Sequence, residues 1–284
     1  MASLRDRTKI GHHRRDNAAR RAQKGRPLGC DVSAIASFSP LGYDYIRDSD
    51  NLIEENSVTD NSRTKEPQYE LLYRVKEKHG ITKLGLMVNE SWNEDPKRTL
   101  FTLSRYKFVS RMFQGRTNVL EVGCADAFGT RIVQQSVGKI TAVDFDPLFI
   151  EDVHERMNPH WKFDAHIHDM LEGGPVAGKF DAAYALDVLE HMRPDQEDTF
   201  LKNMVGSITN TGVAILGMPS LESQLYASPQ SKAGHVNCKS GPDLKATMEK
   251  YFHAVFVFSM NDEVVHTGFY PMAHYLLAVC AHPK

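Results

Sequence analysis

Cysteine is scarce and scattered: Cys30, Cys124, Cys238 and Cys280 are the four in 284 residues. That spacing excludes a disulfide framework and a Cys-x-x-Cys metal pair, and it fits a reducing, cytoplasmic compartment. Long apolar runs are lacking too. The densest, Tyr275-Leu-Leu-Ala-Val-Cys-Ala281, is far shorter than the roughly 18 residues a bilayer span needs, so no membrane partner is expected. The charged opening Met1-Ala-Ser-Leu-Arg-Asp-Arg7 has no apolar stretch of the kind a secretory signal carries. No Gly-x-Ser-x-Gly elbow is present, which leaves a serine-nucleophile chemistry without support.

The formal net charge is only −2, yet it is laid out unevenly. Residues 1–30 hold nine Lys/Arg and two acids, a net of +7, which leaves 25 bases against 34 acids and a net of −9 for the rest. A basic arm on an acidic body can serve nucleic-acid or anionic-surface contact. The arm has almost no aromatic residue to stack on bases, so a solvated tail is the favoured reading and nucleic acid the alternative partner.

Three regions are expected. Residues 1–65 collect turn formers without a sustained apolar period and read as a basic arm and an irregular, mobile segment. Residues 66–117 read as a helical cap: a helix over 69–79 is opened by Pro67 and closed by Gly80. A second follows Asp95-Pro96, with Leu100, Leu103, Tyr106, Val109 and Phe113 at three- and four-residue steps. From 118 to 284, strand and helix patterns alternate. Strands are expected at 119–122, 140–143, 161–167, 180–186, 212–216, 255–259 and 274–280, with helices at 146–157, 195–208 and 240–252. This is an α/β reading: a Rossmann-like sheet of seven strands, mostly parallel, with helices on both faces and one antiparallel strand at its edge.

Ligands of such sheets lie beyond the carboxyl ends of the strands, which directs attention to Glu121-Val-Gly-Cys-Ala-Asp-Ala-Phe-Gly129. Gly123 permits a tight turn and close backbone approach. A dinucleotide fingerprint would need glycines at 123, 125 and 128, whereas the chain has Gly123, Ala125 and Phe128. Glu121 also suits a cationic ligand better than a diphosphate. Asp144, ending the second strand, is placed to accept from two ribose hydroxyls, a feature that nucleosides and dinucleotides share.

These residues, taken in order, resemble the class I S-adenosylmethionine-dependent methyltransferases, especially the ubiquinone-biosynthesis-type branch. Uncharacterised bacterial methyltransferases of surface-polysaccharide clusters are similar too. Val-Leu-Glu-Val-Gly-Cys-Ala-Asp at 119–126 is similar to that family's first motif and Ala-Val-Asp-Phe-Asp-Pro at 142–147 to its second. Asp187-Val-Leu-Glu-His191, Gly212-Val-Ala-Ile-Leu-Gly-Met-Pro219 and Gly234-His235 complete the set. Ala125 and Ala127 stand where glycines are commoner, which alanine tolerates at negative φ. The resemblance implies S-adenosylmethionine as cofactor, held by Glu121, Gly123, Ala125, Asp144, Phe145, Asp169, Met170 and Asp187, with Asp169 at an adenine-contacting position.

Methyl transfer to a hydroxyl needs a proton acceptor nearby, and His191 and His235, both in carboxyl-end loops, are the candidates. Asn261-Asp-Glu-Val-Val-His266 with Tyr270 and His274 either lines a polar pocket or forms a solvated turn. Trp92, Tyr106, Lys107 and Arg111 are candidates to face the acceptor, or core and surface residues of a helix. No metal is expected, because His166-x-His168 has no matching acid or cysteine set around it. The hydroxyl- and amide-rich stretch at 219–232 favours a small polar acceptor such as a sugar. The rivals are a macromolecular methyltransferase recruited by the basic arm and a binding protein without catalysis.

Overall fold

The computed structural model describes residues 64–284; the basic arm and nearly all of the irregular segment, residues 1–63, lie outside the described residues. Three helices open this part: α1 (Glu70–His79), α2 (Leu86–Glu94) and α3 (Lys97–Met112). Gly80, at φ 76, ends α1 where an L side chain would be strained. The apolar period of α3 is used for packing. Val109 and the following Phe113 are fully buried, and the Phe113 ring meets Tyr184 edge-on at 6.2 Å between centroids.

Strands β1 (Asn118–Val122), β2 (Lys139–Asp144), β3 (Asp164–Ile167), β4 (Phe180–Leu186) and β5 (Ile208–Pro219) form the parallel part of the sheet. Their centres are near-continuous apolar runs, as strands covered on both faces require; Leu120, Ala182, Ala183 and Tyr184 are wholly buried. Between them lie α4 (Thr130–Gln134), α5 (Pro147–Arg156) and α6 (Glu197–Ser207). The Asp146 side chain caps α5 by accepting from Leu148 N at 2.9 Å, and Pro147 fills the first position. Further along are α7 (Pro229–Gly234) and α8 (Gly241–Met248), then β6 (Phe252–Asn261), β7 (Val264–His266) and β8 (Tyr275–Pro283).

The strand order is β3-β2-β1-β4-β5-β8-β6-β7. The mostly parallel α/β class is as expected, but the sheet has eight strands where seven were expected. The added one is β7, which pairs with β6 through a tight turn at the edge. The last strand is not itself at the edge: β8 inserts between β5 and β6, antiparallel to both. Two other boundaries move. Asn158 caps a short 3-10 turn, Pro159–Trp161, so β3 starts only at Asp164. β5 follows α6 directly and begins at Ile208, with a register shift against β4 between Phe180 and Ala182. Strand order reverses between β1 and β4, which places the ligand crevice at the loops beginning at 123 and 187.

Candidate active site

The loop after β1 is left-handed at three positions: Gly123 (φ 72), Ala125 (φ 46) and Ala127 (φ 49). The two alanines were expected at negative φ, and each carries a cost on the order of 1 kcal/mol. Surrounding bonds impose the shape. Ala125 N donates to Asp144 Oδ2 at 2.8 Å, Val88 N to Asp126 Oδ2 at 2.9 Å, and Arg156 Nη2 to Asp126 O at 2.5 Å. Asp126 is thereby tied to the start of α2, a structural place rather than a ligand-facing one. At Gly123 a Cβ would meet Val188 Cγ2 at 2.4 Å, so only glycine lets the β4 loop close on this turn.

Glu121 is buried beneath the loop rather than facing a cationic ligand across it. Its Oε2 accepts from Thr130 Oγ1 at 2.5 Å, and burial pushes its carboxyl up to about 7 against the hydrogen bonds that lower it. Asp144 is 6% exposed. Its Oδ2 accepts from Ala125 N and its Oδ1 from Asp146 N at 3.0 Å. A carboxylate has about four lone-pair sites. Two are used, and two remain for a pair of ribose hydroxyls. Next to it the Phe145 ring is 69% exposed, an apolar face with no protein cover, as a stacking partner for a base would be. Asp169, half-buried, uses Oδ1 to accept from Leu171 N at 2.7 Å, and no hydrogen bond among the described residues occupies its Oδ2. Met170 differs from expectation: its side chain is in the core and its carbonyl accepts from Asn203 Nδ2 at 2.7 Å. Asp144 and Asp169 thus present acceptor oxygens, and Phe145 an uncovered apolar face.

The loop after β4 begins with Asp187 in the left-handed region (φ 57). Both of its carboxylate oxygens accept from Arg105 Nη1, at 2.8 and 2.7 Å. The Arg105 guanidinium lies 3.8 Å over the Tyr275 ring, and burial is offset by Asp187 in holding its charge. Asp187 is therefore committed to a protein partner. Its neighbour Glu190, in the 3-10 turn Leu189–His191, is fully buried with neither carboxylate oxygen hydrogen-bonded. Burial, reinforced by Asp187, pushes its carboxyl well up.

His191 and His235, distant in sequence, come together here with ring centroids 5.1 Å apart. His191 Nδ1 lies 3.1 Å from Gly234 O and His235 Nδ1 lies 2.9 Å from Gln224 Oε1. Both partners accept, so each Nδ1 donates, and in the neutral form of either ring the lone pair is on Nε2. Burial and the His191 ring hold His235 below the usual imidazole range. Arg105, Tyr275 and Gln224 had no signal in the sequence, since each acts on a residue in another segment.

Other candidates fall elsewhere. Tyr106 packs edge-on to Tyr184 with centroids 6.1 Å apart, while Trp92, Lys107 and Arg111 are exposed on the α2–α3 layer. The second polar cluster braces the β6–β7 hairpin: His266 Nε2 lies 2.8 Å from Asn261 Oδ1, and Asn261 Nδ2 donates to Met272 O at 3.1 Å. A cavity of about 850 Å³ lies at the amino ends of β1 to β4, lined by Asn118, Lys139, Asp164 and Phe180, away from this crevice.

Residues 119–212 match a family described as a methyltransferase domain. The mitochondrial ubiquinone biosynthesis O-methyltransferase of Schizosaccharomyces pombe is 25% identical over 126 residues. That match takes in 41% of this chain and 45% of the relative, so the chain spans about half the length of the curated relative it matches. Among solved structures, the N-methyltransferase NodS of Bradyrhizobium japonicum WM9, in complex with S-adenosyl-L-homocysteine, has a TM-score of 0.52 at 19% identity. That alignment covers 68% of this chain and 91% of the other. A putative methyltransferase of Haloferax volcanii, seen with the Trm112 methyltransferase activator, has a TM-score of 0.54 at 10% identity over 72% of this chain and all of its own. Motif order, sheet topology and the matching domain agree: residues 119–212 carry a methyltransferase domain, and the described chain shares the fold of these solved methyltransferases.

Proposed function

We propose that this chain moves a methyl group from S-adenosylmethionine to a hydroxyl of a small polar acceptor, a sugar or a related metabolite. One observation carries the hydroxyl reading: two histidines whose Nδ1 atoms donate to protein acceptors, leaving Nε2 without a protein partner, meet edge-on in the loops beside the crevice. A sulfonium supplies an electrophilic methyl carbon and leaves as a neutral thioether. What the protein must add is alignment, exclusion of water and help in removing the acceptor's proton. In this reading Asp144 holds the ribose and Phe145 covers the adenine, while Asp169 contacts the base edge. Gly123 and Ala125 bring backbone close to the ligand. Glu121, Met170 and Asp187 support that site from beneath, Asp187 through Arg105. His191 and His235 act on the acceptor. The polar stretch at 219–232, which supplies Gln224, favours a hydroxylated acceptor over one with a long apolar tail. A reducing compartment suits the free Cys124, Cys238 and Cys280, and no helix among the described residues is long and apolar enough to cross a membrane.

The test is calorimetry with S-adenosylhomocysteine, followed by transfer of labelled methyl to a panel of sugars, polar acids and quinones. Binding with a labelled sugar or acid product supports the reading. Binding with no labelled product across the panel sinks the acceptor assignment, and no heat sinks the cofactor.

The +7 arm at 1–30 motivates a second reading, a macromolecular acceptor recruited by charge. Removing residues 1–30 would then weaken RNA binding steeply and abolish its salt dependence; an unchanged affinity rules it out.

A further inference from the structure

We propose that a second cavity, against the loop after β1, binds a small, flat, uncharged aromatic molecule of one or two fused rings, and that this ligand braces the cofactor loop. The binding rests on the cavity itself; its effect on the cofactor rests on the methyl-transfer reading above.

The cavity has a volume of about 260 Å³ and is walled by α3, α4, the end of α5 and residues 126–128 of the loop. Leu103, Ile132, Val153, Met157 and Phe163 make it largely apolar. Asp144, Phe145 and Asp169 do not line it, which sets it apart from the cofactor crevice. Protein interiors pack to crystal density, and a gap of this size forfeits dispersion contacts all round its wall. An apolar cavity of about 150 Å³ is enough to take up benzene, so this one has room for a second fused ring. Trp161 lines it and is exposed, which gives a ligand a way in.

The chemistry of the wall selects the ligand. A trapped water needs two to four polar partners. Here Asp126 accepts from Phe128 N and Val88 N through its two oxygens, and Asn158 spends its side chain on His160 N and His79 O. Arg156 gives Nε and Nη2 to Asp152 and to Asp126 O. With these groups committed, the space holds water poorly and favours apolar surface. Flatness is set by Trp161. The Arg131 guanidinium lies 3.6 Å over its ring, so α4 fixes the plane of the indole and leaves a rigid aromatic wall. A ring gains offset-stacked or edge-on contact with such a wall, which an aliphatic molecule of equal volume does not.

The loop is what couples the cavity to the cofactor. Ala127 and Phe128 line the cavity, while Ala125, two residues earlier, donates its N–H to Asp144 in the crevice. Between these two sides the chain is held at φ 46 and 49 on residues that resist such angles. A ring packed on Ala127 and Phe128 favours the loop in this shape, and a ligand that prefers one shape shifts the population toward it. Cofactor affinity therefore rises when the cavity is filled, and by linkage the cofactor tightens the aromatic ligand by the same factor.

The experiment adds 5-fluoroindole to the full chain and follows it by fluorine nuclear magnetic resonance. The expected result is one probe per chain, displaced by plain indole and not by cyclohexanol. Leu103→Trp fills the cavity from α3 and Trp161→Leu removes its flat wall; each weakens binding at least tenfold. Trp161 is exposed, so its variant keeps the fold, which a melting curve verifies. Saturating indole tightens S-adenosylhomocysteine about fivefold by calorimetry in the wild type and leaves it unchanged in Trp161→Leu. Absence of saturable binding overturns the site, as does binding that neither substitution weakens. Displacement of the probe by S-adenosylhomocysteine overturns it too, because it places the probe in the cofactor crevice. Probe binding that leaves S-adenosylhomocysteine affinity unchanged overturns the brace. Probe binding in a chain that takes up no S-adenosylhomocysteine keeps the cavity site and removes the methyl-transfer reading.

Discussion

Arg105, from the middle of α3, holds both carboxylate oxygens of Asp187 through Nη1 while its guanidinium covers the Tyr275 ring at 3.8 Å. This contact joins the helical layer before the sheet, the loop after β4 and the inserted strand β8. Asp187 sits at φ 57, with its main-chain N donating to Gly217 O at 2.9 Å and its side chain held by the ion pair. Arg105→Ala removes the partner of a half-buried carboxylate and the ring contact together. It is expected to lower stability by about 2–3 kcal/mol, read as a falling midpoint in urea. Arg105→Lys, which keeps charge but not the planar stack, should recover only part of that.

The cofactor loop tests its own geometry. Gly123→Ala places a Cβ 2.4 Å from Val188 Cγ2 at a left-handed position, so the loop or the 187–188 turn must shift. S-adenosylhomocysteine affinity is expected to drop at least tenfold, about 1.4 kcal/mol, by calorimetry. Ala125→Gly has the opposite sign for stability: it relieves an L residue at φ 46 and should raise the unfolding free energy by about 0.5–1 kcal/mol.

Asp144 and Phe145 separate position from recognition. Asp144→Ala loses the acceptor of Ala125 N and Asp146 N, so both cofactor affinity and thermal stability should fall. Phe145→Ala removes a ring that nothing in the protein covers. Its melting temperature is expected to stay unchanged while affinity for S-adenosylhomocysteine weakens several-fold, consistent with about 1 kcal/mol of stacking. An unchanged affinity would remove Phe145 from the site.

Glu121 supplies a pH signature. Burial raises its carboxyl in the folded chain to about 7 from an ordinary 4.5. Between those values the folded state binds more protons than the unfolded state, so this group's contribution is complete below about pH 4.5. It is lost progressively as pH rises to about 7. The difference in unfolding free energy between wild type and Glu121→Gln is therefore expected to change by up to about 3 kcal/mol across that window and to level off above it. Urea melts of the two proteins from pH 4.5 to 8 measure it; parallel curves would mean that Glu121 ionises normally.

Short-range pattern carried most of the architecture. The alternation of β-rich runs with three- and four-residue apolar periods is set by which faces are buried, so it is written locally; β1, β2 and β4 fall close to where their residues predict. Punctuation was equally local: Gly80 ends α1 and Asp146-Pro147 starts α5. Legibility fell where local signals compete. Trp161 is β-prone, yet Asn158-Pro159 opens a 3-10 turn there, and the small α4 and α7 are too short to show a period.

What the amino-acid sequence determined alone is the α/β class, the turn at Gly123 and the acid ending β2, because glycine freedom, strand period and carboxylate chemistry belong to single residues and their near neighbours. Tertiary structure decided the rest. It set the left-handed Ala125 and Ala127, the insertion of β8 between β5 and β6, the commitment of Asp187 to Arg105, and the meeting of Glu190, His191 and His235. Each of these depends on groups brought together from distant segments, and their energies exist only after the chain has closed around them.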